Sequence, residues 1–134
     1  MAADAREKNL QAVRRLCEQW PWMNREDYRA LFAEGSVYVN VPKPELRRIG
    51  PDETWEALKD VHTRTNLTLE VLSIQGDDTS VLTERLERFE RKADGRVIDL
   101  YVMGAFDMKD GKITGWRDYF EWGQLFPPEE TSPQ

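Results

Sequence analysis

Val97-Ile98-Asp99-Leu100-Tyr101-Val102-Met103-Gly104-Ala105-Phe106-Asp107-Met108-Lys109-Asp110-Gly111-Lys112-Ile113-Thr114-Gly115-Trp116-Arg117-Asp118-Tyr119-Phe120 reads as two strands joined by a tight turn. An Asp-Gly pair between β-patterned runs is a hairpin signal, because these residues accept the positive φ that short hairpin turns demand. Side chains alternate along a strand, so residues two apart share a face. On the first strand Leu100, Val102, Gly104 and Phe106 form an apolar face, and Asp99, Tyr101, Met103 and Asp107 form the other. On the second, Asp118 shares a face with Trp116 and Phe120, while Arg117 and Tyr119 point away. An acid between two large aromatics is either poorly solvated and costly, or held by partners.

Working outward, residues 67–75 and 80–92 carry the same pattern and break at Gly76-Asp77-Asp78 and at Asp94-Gly95. The second half is therefore predicted to be an antiparallel meander. The first third is helical. Leu10, Val13, Leu16, Cys17 and Trp20 form one stripe at helical spacing, and Pro21 ends that helix. Asn24 is a candidate N-cap, with Glu26 and Asp27 in the first turn, Tyr28, Leu31 and Phe32 on the buried face, and Gly35 as the stop. Residues 36–41 read as a short strand closed by Pro42 and Pro44, and residues 42–49 as a loop. Gly50-Pro51 opens a third helix with Trp55, Leu58 and either Val61 or His62 along its inner face. Helices followed by a meander predict an α+β domain, with the helices on one face of a curved, mostly antiparallel sheet that encloses a pocket. One domain is expected over residues 1–126, with a disordered tail at 127–134.

A chain of 134 residues with 40% hydrophobic content has material for one core. Its net charge of −6 argues against non-specific binding to nucleic acid or to an anionic membrane. The arginines around positions 85–92 are interspersed with acids rather than gathered into a basic patch. Cys17, the single cysteine, allows no intrachain disulfide and lies on the apolar helical stripe as a core residue. The N-terminal residues lack the apolar core of a signal peptide, and no segment has the length to cross a bilayer, so a cytoplasmic protein is expected. His62 is the only histidine and no cysteine pair exists, so neither a metal site nor a cofactor is expected. Trp20, Trp22 and Trp55 read as core residues, although Trp22 beside Pro21 could rim a pocket mouth.

Two further segments offer partners for Asp118. Tyr38 and Asn40 share a strand face, as do Arg85, Glu87 and Phe89. Tyr38-x-Asn40, Arg85-x-Glu87 and Trp116-Arg117-Asp118-Tyr119-Phe120, in this order and spacing, resemble the limonene-1,2-epoxide hydrolases, within the nuclear-transport-factor-2-like (SnoaL-like) superfamily. The resemblance covers roughly residues 13–126 and implies a cone-shaped α+β fold. It also implies a homodimer and one-step, metal-free addition of water to a small apolar epoxide, giving a vicinal diol. Asp118 would be the general base, with Tyr38 and Asn40 holding the water. Arg85 would orient the base and an opposing acid that protonates the epoxide oxygen. That acid is Asp in the family and Glu87 here.

The chemistry asks for such a set. Opening an epoxide develops negative charge on oxygen, so a donor is needed there, and water needs a base on the opposite side. Two carboxyls around one Arg in a low-dielectric pocket can hold one proton between them. Glu carries one more methylene than Asp, which moves its carboxyl by roughly 1.3 Å. Trp116, Phe120, Phe89, Leu100, Val102 and Leu69 are the expected pocket walls, and Tyr101 and Met103 the expected subunit interface. Other readings use the same residues. Asp118 and Arg85 could be a structural ion pair, and Arg85 and Glu87 part of a solvated face. Asp118 with Tyr38 could move protons on a carbonyl substrate, as in ketosteroid isomerases and polyketide cyclases of the superfamily. A non-catalytic domain could bind an apolar ligand in the same pocket.

Overall fold

A computed structural model describes residues 2–125. Its elements run α1 (Ala2–Gln19), α2 (Arg25–Leu31), β1 (Phe32–Asn40), β2 (Arg48–Ile49), α3 (Gly50–Leu58), α4 (Val61–Arg64), β3 (Thr65–Gly76), β4 (Ser80–Arg91), β5 (Val97–Lys109), β6 (Lys112–Tyr119) and α5 (Trp122–Leu125). Residues 126–134, which include the expected tail, lie outside the described part.

The six strands form one sheet in the order β2-β1-β6-β5-β4-β3. The meander β3-β4-β5-β6 is antiparallel throughout, β1 joins β6 in parallel, and β2 closes the far edge antiparallel to β1. Asp110 and Gly111 take φ of 53° and 78°, as a two-residue hairpin turn between right-twisted strands requires. The parity assignment holds along β5 and β6. Leu100, Val102, Phe106, Trp116 and Asp118 are buried, whereas Tyr101, Met103 and Tyr119 are exposed on the outer face. The helices cover the inner face, so the architecture is α+β, with a mixed, open, curved sheet.

Apolar burial joins the two layers. Val13, Leu16 and Cys17 of α1 and Tyr28 and Phe32 around α2 belong to one core with Phe106, Ile113 and Trp116 of the sheet. The Tyr28 and Phe32 rings stack with centroids 5.5 Å apart, and the buried Tyr28 hydroxyl donates to the Trp20 carbonyl.

Several boundaries differ from expectation. Gly35 does not end α2. Phe32 already has extended backbone, because burying its ring beside Trp116 pulls the chain directly into β1. The segment 42–49 is not wholly a loop. It contains a 3-10 turn at Pro44–Leu46 and the two residues of β2. The third helix is interrupted, since Asp60 leaves helical geometry at φ −102°, ψ 0° and α4 restarts at Val61. The Pro21 stop is a 3-10 turn over Trp20–Trp22.

Asn24 caps α2 as expected. Its side chain accepts from the Asp27 amide at 2.8 Å, and the Asp27 carboxylate accepts from the Asn24 amide at 3.0 Å. Asn24→Ala should lower unfolding free energy by about 1 kcal/mol, read as a shifted urea midpoint at unchanged slope.

Candidate active site

The sheet register places the candidate residues before any side-chain contact is considered. Asn40 stands beside Asp118 across β1 and β6, Asp118 opposite Gly104 on β5, and Gly104 opposite Thr83 on β4. One residue pair along, Tyr38 stands beside Trp116 and their rings lie 4.2 Å apart. Arg85 and Glu87 occupy the inner face of β4, one strand removed from β6.

Arg85 and Asp118 nevertheless meet, with Nη2 and Oδ2 2.7 Å apart and both side chains almost wholly buried. Gly104 leaves the room for this approach over β5. A Cβ there would sit 2.7 Å from Thr83 Oγ1 and 3.0 Å from Asp118 Oδ1. The second carboxylate oxygen, Oδ1, accepts from Trp116 Nε1 at 2.8 Å. Asp118 is thus a buried carboxylate aimed by an arginine and an indole, so its place between two aromatics is not a bare burial cost.

Glu87 is held more loosely. Its Oε2 lies 3.7 Å from Arg85 Nε. Burial pushes its carboxyl up to about 7; the Arg85 charge opposes this rise and the Asp118 charge adds to it. The buried Trp20 Nε1 makes no hydrogen bond, but it lies near enough to Glu87 to favour the ionised form slightly. Burial alone would disfavour the Arg85 guanidinium, but Asp118 and Glu87 hold its pKa well above the ordinary range. Its remaining buried partner is Cys17, whose Sγ lies 3.5 Å from Nη1. Burial pushes that thiol up to about 11, so it meets Arg85 in its neutral form. Tyr38 donates to Asn40 Oδ1 at 3.2 Å. Burial first, and then the charges of Asp118 and Glu87, raise its phenol far above the usual range, so it stays a donor.

These groups border a cavity of about 440 Å³. Asp118, Glu87, Tyr38 and Asn40 all face it, and so do Trp116, Phe120, Phe89, Leu100 and Val102. Arg85 lies behind the two carboxyls and does not line the cavity. Leu69 does not line it either. It stands opposite Glu87, but on the edge strand β3, against which α1 packs, so its side chain joins the core instead. Trp22, expected in the core or at the cavity rim, is exposed and does not line the cavity, whereas Trp20 is a core residue as expected and also lines it. Arg48, Arg64 and Arg91 also line it, although the sequence pattern assigns none of them a site role. His62 lies within α4, off the cavity lining. Among the described residues, no group of three or more His, Cys, Asp or Glu is placed to hold a metal ion, and no helix is long and apolar enough to cross a membrane.

Residues 8–129 match the family described as the limonene-1,2-epoxide hydrolase catalytic domain. The chain belongs to the limonene-1,2-epoxide hydrolase family. Within the range of this family's relatives, the epoxide hydrolase EphG of Mycobacterium tuberculosis is 32% identical over 98 residues. That alignment covers 72% of this chain and 62% of EphG, so the match spans less than two thirds of that protein. A solved LEH-like epoxide hydrolase from Mycobacterium tuberculosis superposes with a TM-score of 0.75 at 27% identity, over 90% of this chain and 87% of the other. A SnoaL-like protein from Jannaschia sp. CCS1 superposes with a TM-score of 0.80 over 96% of each chain, but at 14% identity, which shows a shared fold alone. The epoxide hydrolase family thus sits on a SnoaL-like scaffold here.

Gly104→Ala should displace Asp118 and Thr83, because the added methyl would lie 3.0 Å from Asp118 Oδ1 and 2.7 Å from Thr83 Oγ1. Thr83 must then shift and Asp118 give by a few tenths of an ångström, and a site that depends on close placement of Asp118 loses rate when that carboxylate moves. The variant should therefore lose far more turnover, on whichever substrate the wild type uses, than thermal stability. Equal loss of both would contradict the spacing role.

Proposed function

We propose that this family member is an epoxide hydrolase that opens a small, largely apolar epoxide by direct attack of water, giving a vicinal diol. The observation that carries the reading is the pairing of two buried carboxyls with one buried guanidinium at unequal distances, 2.7 Å for Asp118 and 3.7 Å for Glu87. With both acids ionised, the three groups would carry a net negative charge away from solvent. A single proton removes it, and the more loosely held carboxyl is the one to take it. Glu87 is then a proton donor near neutral pH, and Asp118 is a base.

In the proposed step, water held by Tyr38 and Asn40 gives a proton to Asp118 as its oxygen bonds to an epoxide carbon. The C–O bond on that carbon breaks, and the freed oxygen takes the proton of Glu87. Epoxide plus water gives diol, and one proton transfer from Asp118 back to Glu87 restores the starting state. The apolar walls lower the dielectric around the site, which strengthens the Arg85 field that steadies both carboxyls.

The decisive test is turnover of limonene oxide, cyclohexene oxide and styrene oxide in oxygen-18 water by wild type and Asp118→Asn. One labelled oxygen in the diol at single turnover, and a loss of about a hundredfold or more in Asp118→Asn, is expected. If no epoxide yields diol while carbonyl substrates exchange α-protons with solvent, the site is a proton-transfer centre instead.

The pH dependence has a definite sign. Glu87 must be protonated to act, so kcat/KM should fall as pH rises through about 7. Glu87→Gln should be much slower and should lack that limb. An unaltered limb in this variant would remove Glu87 from the role of acid.

A further inference from the structure

We propose that the substrate of this pocket carries a carboxylate at the end remote from the reacting epoxide, bound at the cavity mouth by Arg64 and Arg91 with Arg48 facing them. The inference rests on the hydrolase reading for what reacts at the cavity floor, and it adds what the mouth recognises.

The charges of the cavity are sorted by depth. Its only acidic lining residues among those described are Glu87 and Asp118, both buried and both engaged with Arg85. Its basic lining residues are Arg48, Arg64 and Arg91, of which Arg64 and Arg91 are exposed and Arg48 half-buried. A residue that lines a cavity while meeting solvent sits at the opening. In a chain of net charge −6, a cavity whose exposed lining charges are all cationic is against the overall trend.

Backbone register accounts for this placement. The inner face of β4 runs Arg85, Glu87, Phe89, Arg91, so one strand carries the orienting cation, the acid, an apolar wall and the mouth cation in sequence. Arg91 pairs with Thr65, and the Lys92 amide donates to the Arg64 carbonyl at 3.0 Å, which brings Arg64 beside Arg91. Arg48 stands opposite Tyr38 in the β1–β2 ladder and therefore shares its inward face.

These cations are available. Arg64 makes no ion pair and no side-chain hydrogen bond among the described residues. Arg48 donates to the Leu46 carbonyl and meets no carboxylate among the described residues. Arg91 forks onto Asp94 at 2.8 and 3.1 Å, but both side chains are about half exposed, and such pairs are easily exchanged for another carboxylate. A neutral substrate would gain nothing from these groups, whereas a carboxylate would gain bidentate, charge-assisted hydrogen bonds.

Strand geometry also supplies a ruler. Glu87 and Arg91 are four residues apart on one face, roughly 13 Å at about 3.3 Å per residue. Phe89, Ile98 and Leu100 line the interval. The fitting substrate is an epoxide separated from its carboxylate by an alkyl stretch of roughly eight bonds.

The probe is 9,10-epoxydecanoate, compared with its methyl ester on wild type and on an Arg64→Gln/Arg91→Gln double variant. Binding of octanoate against 1-octanol is measured by calorimetry on the same proteins. We expect wild type to favour the acid over the ester about tenfold in kcat/KM, with the ratio collapsing toward one in the double variant and shrinking in high salt. Equal or poorer turnover of the acid, with the ester hydrolysed, overturns the anionic mouth and leaves the hydrolase reading standing. If neither epoxide opens, the calorimetry decides. Octanoate about tenfold tighter than octanol, and no longer so in the double variant, upholds the anionic mouth without hydrolysis; equal affinities overturn it.

Discussion

A buried guanidinium must be neutralised where it lies, and most of this structure is arranged around that demand on Arg85. The residue is 1% exposed, with Asp118 at 2.7 Å and Glu87 at 3.7 Å. Losing Asp118 would take from this buried charge its closest counter-ion, and breaking such a pair costs several kcal/mol in typical proteins. Keeping both gives one charge too many, and burial raises the more loosely held carboxyl, Glu87, toward a pKa of about 7. The ion pairing that stabilises the core thus also helps to set the Glu87 pKa. The sheet supports it geometrically: Arg85 on β4 reaches Asp118 on β6 only because β5 presents Gly104 between them.

The Glu at position 87 departs from the Asp that the family resemblance implies, and the geometry gives the departure a meaning. A shorter side chain anchored at the same strand position would place its carboxyl differently by roughly 1.3 Å, and so alter its distance from Arg85. At 3.7 Å the guanidinium offsets burial only in part, and the carboxyl is left near pKa 7. A tighter pair would pull that value down and remove the proton at neutral pH. The longer side chain and the looser contact are thus compatible with the proton-donor role proposed for Glu87, and they distinguish it from Asp118.

Much of this was legible in the sequence because strands impose a period of two. Once the Asp110-Gly111 turn was placed, parity alone separated Leu100, Val102 and Asp118 from Tyr101, Met103 and Tyr119. The same parity brought Arg85, Glu87 and Phe89 to one face. What failed depended on helix packing or on chain direction at element ends. Gly35 looked like a helix stop, but burial of Phe32 converts the chain to strand earlier. Leu69 has the right parity but lies on the edge strand under α1, which period cannot reveal. Trp20 is a core residue, as its helical stripe predicts, but that it also borders the cavity follows from its place on the 3-10 turn after Gln19, which period cannot reveal. Arg91 was legible in principle, being two residues beyond Phe89 on its face, but the neighbouring charges hid it.

The scaffold itself does not choose the chemistry. A SnoaL-like chain at 14% identity superposes better, at a TM-score of 0.80, than the epoxide hydrolase at 27% identity and 0.75. A curved sheet roofed by helices can leave an apolar cavity, as it does here, and that architecture alone does not fix the chemistry. The distinction lies in which positions on three strands carry polar groups. Here β1 contributes Tyr38 and Asn40, β4 contributes Arg85 and Glu87, and β6 contributes Asp118. Each lies on the inner face, and none is adjacent in sequence to a residue of another set. Their convergence is a consequence of register, with Asn40 beside Asp118 and Gly104 spanning the gap to β4. A one-residue slip of β6 would turn Asp118 outward and leave Arg85 buried without its closest counter-ion, so the same ion pair that equips the site also penalises the wrong register.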